Sequence, residues 1–515
     1  MLDTTSDRPT TIAARYRWLA RLPRQLRRVS PFDGDSQPAR VSLLSSDLRA
    51  STLPFPHPWN YDRPLEILEA YFRDAERDSG PARHNRYIEV PGFPPVLVTR
   101  DPGIIRAITT ATGDGAGQFD RDTLPSTGIA RATGNDTLLY SNGSTWRRQR
   151  KISASPFGKT SLFRPERFQD FSETLRGTVS ARLDALRTHL QTSRQTQHRV
   201  ALEPEIKTVM LEMLTNCFFG CQIPLEELRN HFVPALERVI DHIVRDTVIN
   251  KTGISVRHLP NVTRSIEQAK QDHDTFDELA NRVLAQRHSG RGLWSHFKSD
   301  APDEALRSNL KVFLAGALEA TTSYASWAVA HLARNSEAQE KVFAEVRQID
   351  DYTPENLDRA KYFSYVLDET LRLTPSLYFL PRQATADTWV ETADGRRMFI
   401  PIDTHILLDV WHANRHDDHW GVAASGFPAL DFAPERWERL AALGRGSKDV
   451  LHFGFGHGPR VCPGKHLGQL EVALVVGVFV KLFRFSAVET TYGVKAGVST
   501  KPSDGTLVDL ELRGA

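Results

Sequence analysis

Phe455-Gly456-His457-Gly458-Pro459-Arg460-Val461-Cys462-Pro463-Gly464 is the most chemically specified stretch of this 515-residue chain. One cysteine lies among glycines, prolines and an arginine. Glycines at 456, 458 and 464 let the backbone turn tightly and bring N–H groups toward sulfur. The run Lys465 to Phe485 reads as an apolar helix, which sets Cys462 just before a helix N-terminus. The positive end of that helix dipole favours a thiolate, the form in which cysteine ligates a metal.

Working outward, 40% apolar and 25% charged residues describe a globular chain with a sizeable core. A net charge of +2 gives no global attraction to nucleic acid. The three cysteines, Cys217, Cys221 and Cys462, are too few for a disulfide framework and fit a reducing, cytoplasmic setting. Cys217 and Cys221, at i,i+4 beside Phe218 and Phe219, read as buried core thiols. No early apolar run is long enough for a transmembrane anchor or a secretory signal. Arg15 to Arg28 mixes Trp18, Leu19, Leu22 and Leu26 with six arginines. It reads either as an interfacial helix making peripheral membrane contact or, because Pro23 interrupts it, as a solvated terminus.

The division expected is a basic N-terminal extension over residues 1–52 and one domain over 53–515. Tyr87 to Thr99, broken by Pro91, Gly92, Pro94 and Pro95, reads as a hairpin, and Asp101 opens a helix. Phe163 to Arg287 is mostly amphipathic helix, as at Val209, Met210, Met213 and Leu214. Long helices follow over about 302–335 and 361–373. Strand character is confined to short pieces near 398–402, 404–410 and 507–512. The fold class is therefore mainly α with small β-sheets.

The thiolate loop resembles that of the cytochrome P-450 family, whose pattern F-G-x-G-x-R-x-C-x-G is matched at all six fixed positions. A chance match somewhere in the chain has a probability on the order of 10⁻⁵. The resemblance implies the cytochrome P-450 fold and a soluble, bacterial-like member without a fused reductase. It also implies haem b (iron protoporphyrin IX) ligated through Cys462, with Phe455 and Gly464 completing the loop and Arg460 on a propionate. Other family motifs follow in order. Glu369, Arg372 and Arg436 match a buried structural triad, while Trp146, Arg150 and Arg382 match residues directed at the propionates.

In the long helix the family's A/G-G-x-D/E-T-T becomes Ala315-Gly316-Ala317-Leu318-Glu319-Ala320-Thr321-Thr322. If Trp327 and Asn335 set the register, Glu319 takes the acid position and Ala320 replaces the alcohol. If the threonine pair sets it, Thr321 is the alcohol and Ala320 replaces the acid. The first register is favoured, because shifting a helix against its next loop rotates every face. The catalytic candidates are thus Glu319, Ala320 and Thr321.

The implied reaction inserts one atom of dioxygen into a lipophilic small molecule. The altered relay leaves peroxide-driven or rearrangement chemistry as the alternative. Substrate-facing segments would be roughly 117–139, 223–256, 313–321 and 376–380, the last carrying Leu377, Tyr378, Phe379 and Leu380. Electrons would come from a ferredoxin or flavodoxin with its reductase, docking on Arg147, Arg148, Lys151, Lys465 and His466. His412, His416 and His419 are spaced like zinc ligands on a helix, which offers a zinc hydrolase as a competing reading. These lie in a turn-rich stretch, and no glutamate follows the first histidine as a general base.

Overall fold

The computed structural model describes residues 39–42, 64–73, 83–89, 96–113, 118–123, 127–192, 198–249, 254–286, 289, 291–294, 303–349, 351–445, 452–491 and 493–513. The basic segment Arg15 to Arg28, most of the 1–52 extension and the stretch 53–60 lie outside the described residues. Among the described residues, no helix is long and apolar enough to cross a membrane.

The core is helical. The long helix Asp303–Arg334 is buried on nearly every face beyond Leu318, and it packs against Glu203–Glu212, Arg264–Gln286 and Lys465–Leu482. That explains its weak amphipathicity, since a helix surrounded by protein needs apolar or satisfied residues all round. Pro165–Thr192 and Ser336–Val346 cover Lys465–Leu482.

A six-stranded mixed sheet flanks this core in the order Ala39–Ser42, Asn85–Glu89, Val96–Thr99, His405–Asp409, Phe379–Ala384, Phe119–Arg121. The expected hairpin is its Asn85–Glu89 and Val96–Thr99 pair, antiparallel with Tyr87 opposite Leu97. Asp101 caps the next helix by accepting from the N–H groups of Gly103 (2.8 Å) and Ile104 (3.1 Å).

Two local readings are corrected. The apolar run after Cys462 is helical only to Leu482, and Phe483–Ala487 is a strand paired antiparallel with Leu507–Leu512. Phe483 and Phe485 are buried while Arg484 and Ser486 are exposed, a two-residue period that ends the helix. The cysteine pair does not sit on one α-helical face. Cys217 lies in a π-helical segment, Met213–Phe218, and Cys221 follows it, although both thiols are buried as expected.

Candidate active site

The thiolate loop is shaped by two glycines in the left-handed region, Gly456 at φ +73° and Gly458 at φ +72°. A Cβ on Gly458 would lie 2.2 Å from the Thr109 carbonyl oxygen, so the loop rests directly on the end of the helix Pro102–Thr110. Cys462 N–H donates to the Phe455 carbonyl (2.9 Å), closing the turn. Gly464 has φ −84°, which any residue adopts; what it contributes is its N–H, which bonds to the sulfur.

The Cys462 side chain has accessible surface, yet burial pushes its thiol up. Both hold when sulfur lines a concave wall, open on one side and surrounded on the others. The Gly464 N–H, Arg150 and Lys465 act in the opposite direction and favour the thiolate.

Arginines crowd the same place. Arg460 donates from Nη2 to the Ser141 carbonyl (2.9 Å) and Asn142 Oδ1 (2.7 Å) and stacks over Trp146, 4.4 Å from the ring centroid. Its Nε and Nη1 are buried without a hydrogen-bond partner. Arg382 donates to Thr112 Oγ1 (3.2 Å) and to the Pro381 carbonyl (2.8 Å). Burial, then repulsion from Arg121, brings both Arg382 and Arg460 down to about 9. Such a cluster calls for anions. Arg150 does something else as well: its Nη1 donates to the Val461 carbonyl (2.9 Å) and so clamps the loop beside the sulfur.

Behind the loop, Glu369 is fully buried and collects five donors. These are Arg372 Nε (2.9 Å) and Nη2 (2.7 Å), Arg436 Nε (3.2 Å), Trp437 Nε1 (3.1 Å) and Ala433 N–H (3.1 Å). Other guanidinium hydrogens reach the backbone carbonyls of Asn414 (2.7 Å), Ala429 (2.8 Å), Pro428 (2.8 Å) and Trp420 and the Ser425 hydroxyl. The triad thus staples three loop segments, and Trp437 is a fourth member.

Phe313, Gly316, Ala317 and Ala320, at i, i+3, i+4 and i+7, form a partly exposed stripe on the long helix, with Val312 and Ala315 partly exposed beside it. A Cβ on Gly316 would meet nothing within 4 Å. Glu319 turns away from this stripe. Its Oε1 accepts from Lys501 Nζ (2.8 Å) and its Oε2 from Ser499 Oγ (2.7 Å). Both partners belong to the hairpin segment around Thr500–Pro502. Lys501 also lies 3.8 Å from Glu203, which pairs with Lys207 at 2.6 Å, and Lys207 in turn contacts Glu237. Thr321 donates its hydroxyl to the Ala317 carbonyl inside the helix. Its methyl would be 3.6 Å from a Cβ on Gly468, where Phe455 also approaches at 3.9 Å.

Of the four residues after the triad helix, Leu377 is 42% exposed, and Leu380 is buried in the sheet's core cluster. Tyr378 is buried in a different cluster with Phe72 and Trp411, and its hydroxyl donates to the Gly497 carbonyl (2.9 Å). Phe379 is partly buried against that cluster. Ser376, just before them, ties this segment to the long helix by donating to the Ala320 carbonyl (3.0 Å). Arg147, Arg148 and Lys151 are exposed, and Lys465 and His466 are half-buried.

The sequence did not single out Lys501, Ser499 or Trp437. Only Trp437 carried a signal, as the residue following the arginine of the triad.

The donor set fits a haem: an exposed cysteine whose Gly464 N–H, Arg150 and Lys465 favour the thiolate, and a buried arginine cluster with unpartnered donors on Arg460. Residues 87–496 match the cytochrome P450 family, and the chain belongs to it. It is 25% identical over 420 residues to piperic acid synthase of Piper nigrum, covering 77% of this chain and 76% of that one. It is also 25% identical over 450 residues to (+)-vincadifformine 19-hydroxylase of Catharanthus roseus, covering 82% of each. A cytochrome P450 monooxygenase of Gibberella zeae is 31% identical over 261 residues, covering 46% of this chain and 44% of that one. Family membership makes the protein a haem-dependent oxidoreductase of the monooxygenase type.

Proposed function

We propose that this protein uses haem b, ligated by Cys462, to insert one atom of dioxygen into a lipophilic small molecule by hydroxylation or epoxidation. The observation that carries the reading is the accessible Cys462 sulfur, held by the Gly464 N–H beside Arg150. When bound, the haem supplies dioxygen activation, with electrons delivered by a separate redox protein.

The chain's own residues do the rest. Arg460, stacked on Trp146 with Nε and Nη1 free, and Arg382 would hold and neutralise the haem propionates. Gly316, Ala317 and Ala320 keep the facing helix low enough to leave room for substrate. Leu377 offers apolar lining from the opposite segment. Glu319, backed by Ser499 and Lys501, stands in the acid position of the relay, whereas the Thr321 hydroxyl is already engaged within the helix. Arg147, Arg148, Lys151 and Lys465 form the docking face for an acidic ferredoxin or flavodoxin.

Ala320, with no hydroxyl, favours one second reading: peroxide-driven or rearrangement chemistry that needs no relay. A carbon monoxide difference spectrum of the reduced protein should show the red-shifted band of thiolate ligation, and Cys462→Ser should lose it. Labelled dioxygen separates the reactions. One labelled atom in the product supports monooxygenation, and none overturns it.

A further inference from the structure

Three histidines that the haem chemistry does not use come together across the fold: His84, at the start of the strand Asn85–Glu89, and His416 and His419, at the two ends of a short helical turn. Each offers one ring nitrogen, and these three atoms lie within 4.8 Å of one another. The rings are mutually close, with centroids 4.5 Å (His84–His416), 5.0 Å (His84–His419) and 5.6 Å (His416–His419) apart. His412, the third histidine of the sequence triplet, takes no part. Its Nδ1 sits 2.8 Å from Asp409 and its Nε2 3.0 Å from Glu69.

We propose that His84, His416 and His419 bind a divalent transition-metal ion of the zinc type, forming a clip between two segments more than 330 positions apart.

The nitrogens are prepared for it. His84 Nδ1 and His419 Nε2 are both buried without a hydrogen-bond partner, an arrangement that leaves lone pairs unsatisfied unless a ligand meets them. His84 Nε2 lies 3.1 Å from the Asp418 carboxylate, which orients the ring and leaves Nδ1 as the coordinating atom, as carboxylate–histidine–metal pairs do. His416 Nδ1 accepts the Asp418 N–H at 3.2 Å, so this nitrogen carries a lone pair, and a ring rotation that gives up that bond turns it to the metal. Rotations that bring the nitrogens to about 3.3 Å apart satisfy the ~2.0–2.1 Å bonds of tetrahedral zinc, with water in the fourth position.

Arg83, a cation beside the cluster, is itself paired with Asp418 at 3.2 Å. With the His84 and His416 side chains 12% and 21% exposed, an ion can reach them from solvent.

The clip also meets the triad. The peptide carrying His416 and His419 begins at Asn414, whose carbonyl accepts from Arg372, and ends at Trp420, whose carbonyl accepts from Arg436.

The test is equilibrium dialysis of the haem-loaded, chelator-treated protein against zinc chloride, with zinc and iron counted separately. One zinc per chain is expected, with zinc-edge X-ray absorption showing imidazole nitrogens at about 2.0–2.1 Å. Zinc at a hundred times its dissociation constant should raise the melting temperature by about 2–3 °C. His84→Gln and His419→Gln should each weaken binding at least tenfold while keeping the parent haem spectrum, which shows that they fold. His412→Gln should bind like the parent. No zinc retained by the parent, or equal binding in the His84 and His419 variants, overturns the proposal.

Discussion

Replacing Lys501 with methionine keeps the length of the side chain and removes its charge. Glu319 and Lys501 are each 7% exposed, so the carboxylate would be left inside the protein with Ser499 as its sole remaining donor. Breaking a buried pair from one side costs about 3–5 kcal/mol, and the retained Ser499 bond places Lys501→Met near the lower figure. Glu319→Gln is milder. The amide still accepts from Ser499, and Lys501 still has Glu203 at 3.8 Å as a counter-ion, so the loss is that of a charge-assisted hydrogen bond, about 1.5–2 kcal/mol. The double variant has no orphaned charge and should lose about 1–2 kcal/mol, well below the sum of the singles. The coupling is therefore about 3 kcal/mol. Denaturant unfolding of the four haem-loaded proteins measures it. Additivity within about 0.5 kcal/mol, or Glu319→Gln proving more damaging than Lys501→Met, refutes the reasoning.

Three further outcomes are expected. Glu369→Ala removes the acceptor of five donors and strands two buried guanidiniums. A loss of at least about 5 kcal/mol should abolish stable haem-loaded protein, and a shift of under about 1 kcal/mol on denaturation would contradict that role. Gly458→Ala forces a Cβ against the Thr109 carbonyl at φ +72° and should cost more than about 2 kcal/mol, seen as weakened haem retention in a heme-transfer assay. Glu471, buried with Oε1 unpartnered, has its carboxyl pushed up to about 8 by burial. Because the folded value lies above the unfolded one, the folded state holds the extra proton. Stability is then lost as pH rises from about 4.5 to about 8, by up to roughly 1.4 kcal/mol per unit. Glu471→Gln should thus melt increasingly above the parent between pH 5 and pH 9, and a pH-independent gap would count against the buried neutral acid.

The thiolate loop and the Glu369 triad were legible because their chemistry is local. Tight turns need glycine, and a buried acid and base one helical turn apart announce each other. The long helix was legible for its extent but not for its partners. Glu319 read as the acid of the relay, and nothing nearby in sequence indicated Lys501, 182 positions away. The same holds for His84, which meets His416 and His419 only through the sheet. Tyr378 shows a third limit. An apolar run beside the site looks uniform, but Leu377 stays exposed, Leu380 enters the sheet's core cluster, and Tyr378, just before the strand Phe379–Ala384, goes with Phe379 to a separate cluster. Phe483 and Phe485 extended an apolar helix on paper, and only pairing with Leu507–Leu512 distinguishes the two conformations.

The hairpin Val494–Ala496 and Thr500–Pro502 reaches Glu319 across 182 positions, Trp327 across 173 and the Pro375 carbonyl across 125. At the roughly 5–20 residues per second of protein synthesis, the long helix leaves the ribosome about ten to forty seconds before the lysine that neutralises its acid. Throughout that interval Glu319 has no internal counter-charge, and the helix cannot be sealed into its final surroundings. The nascent chain therefore emerges with its long helix unfinished until Lys501 and the hairpin around it have been made.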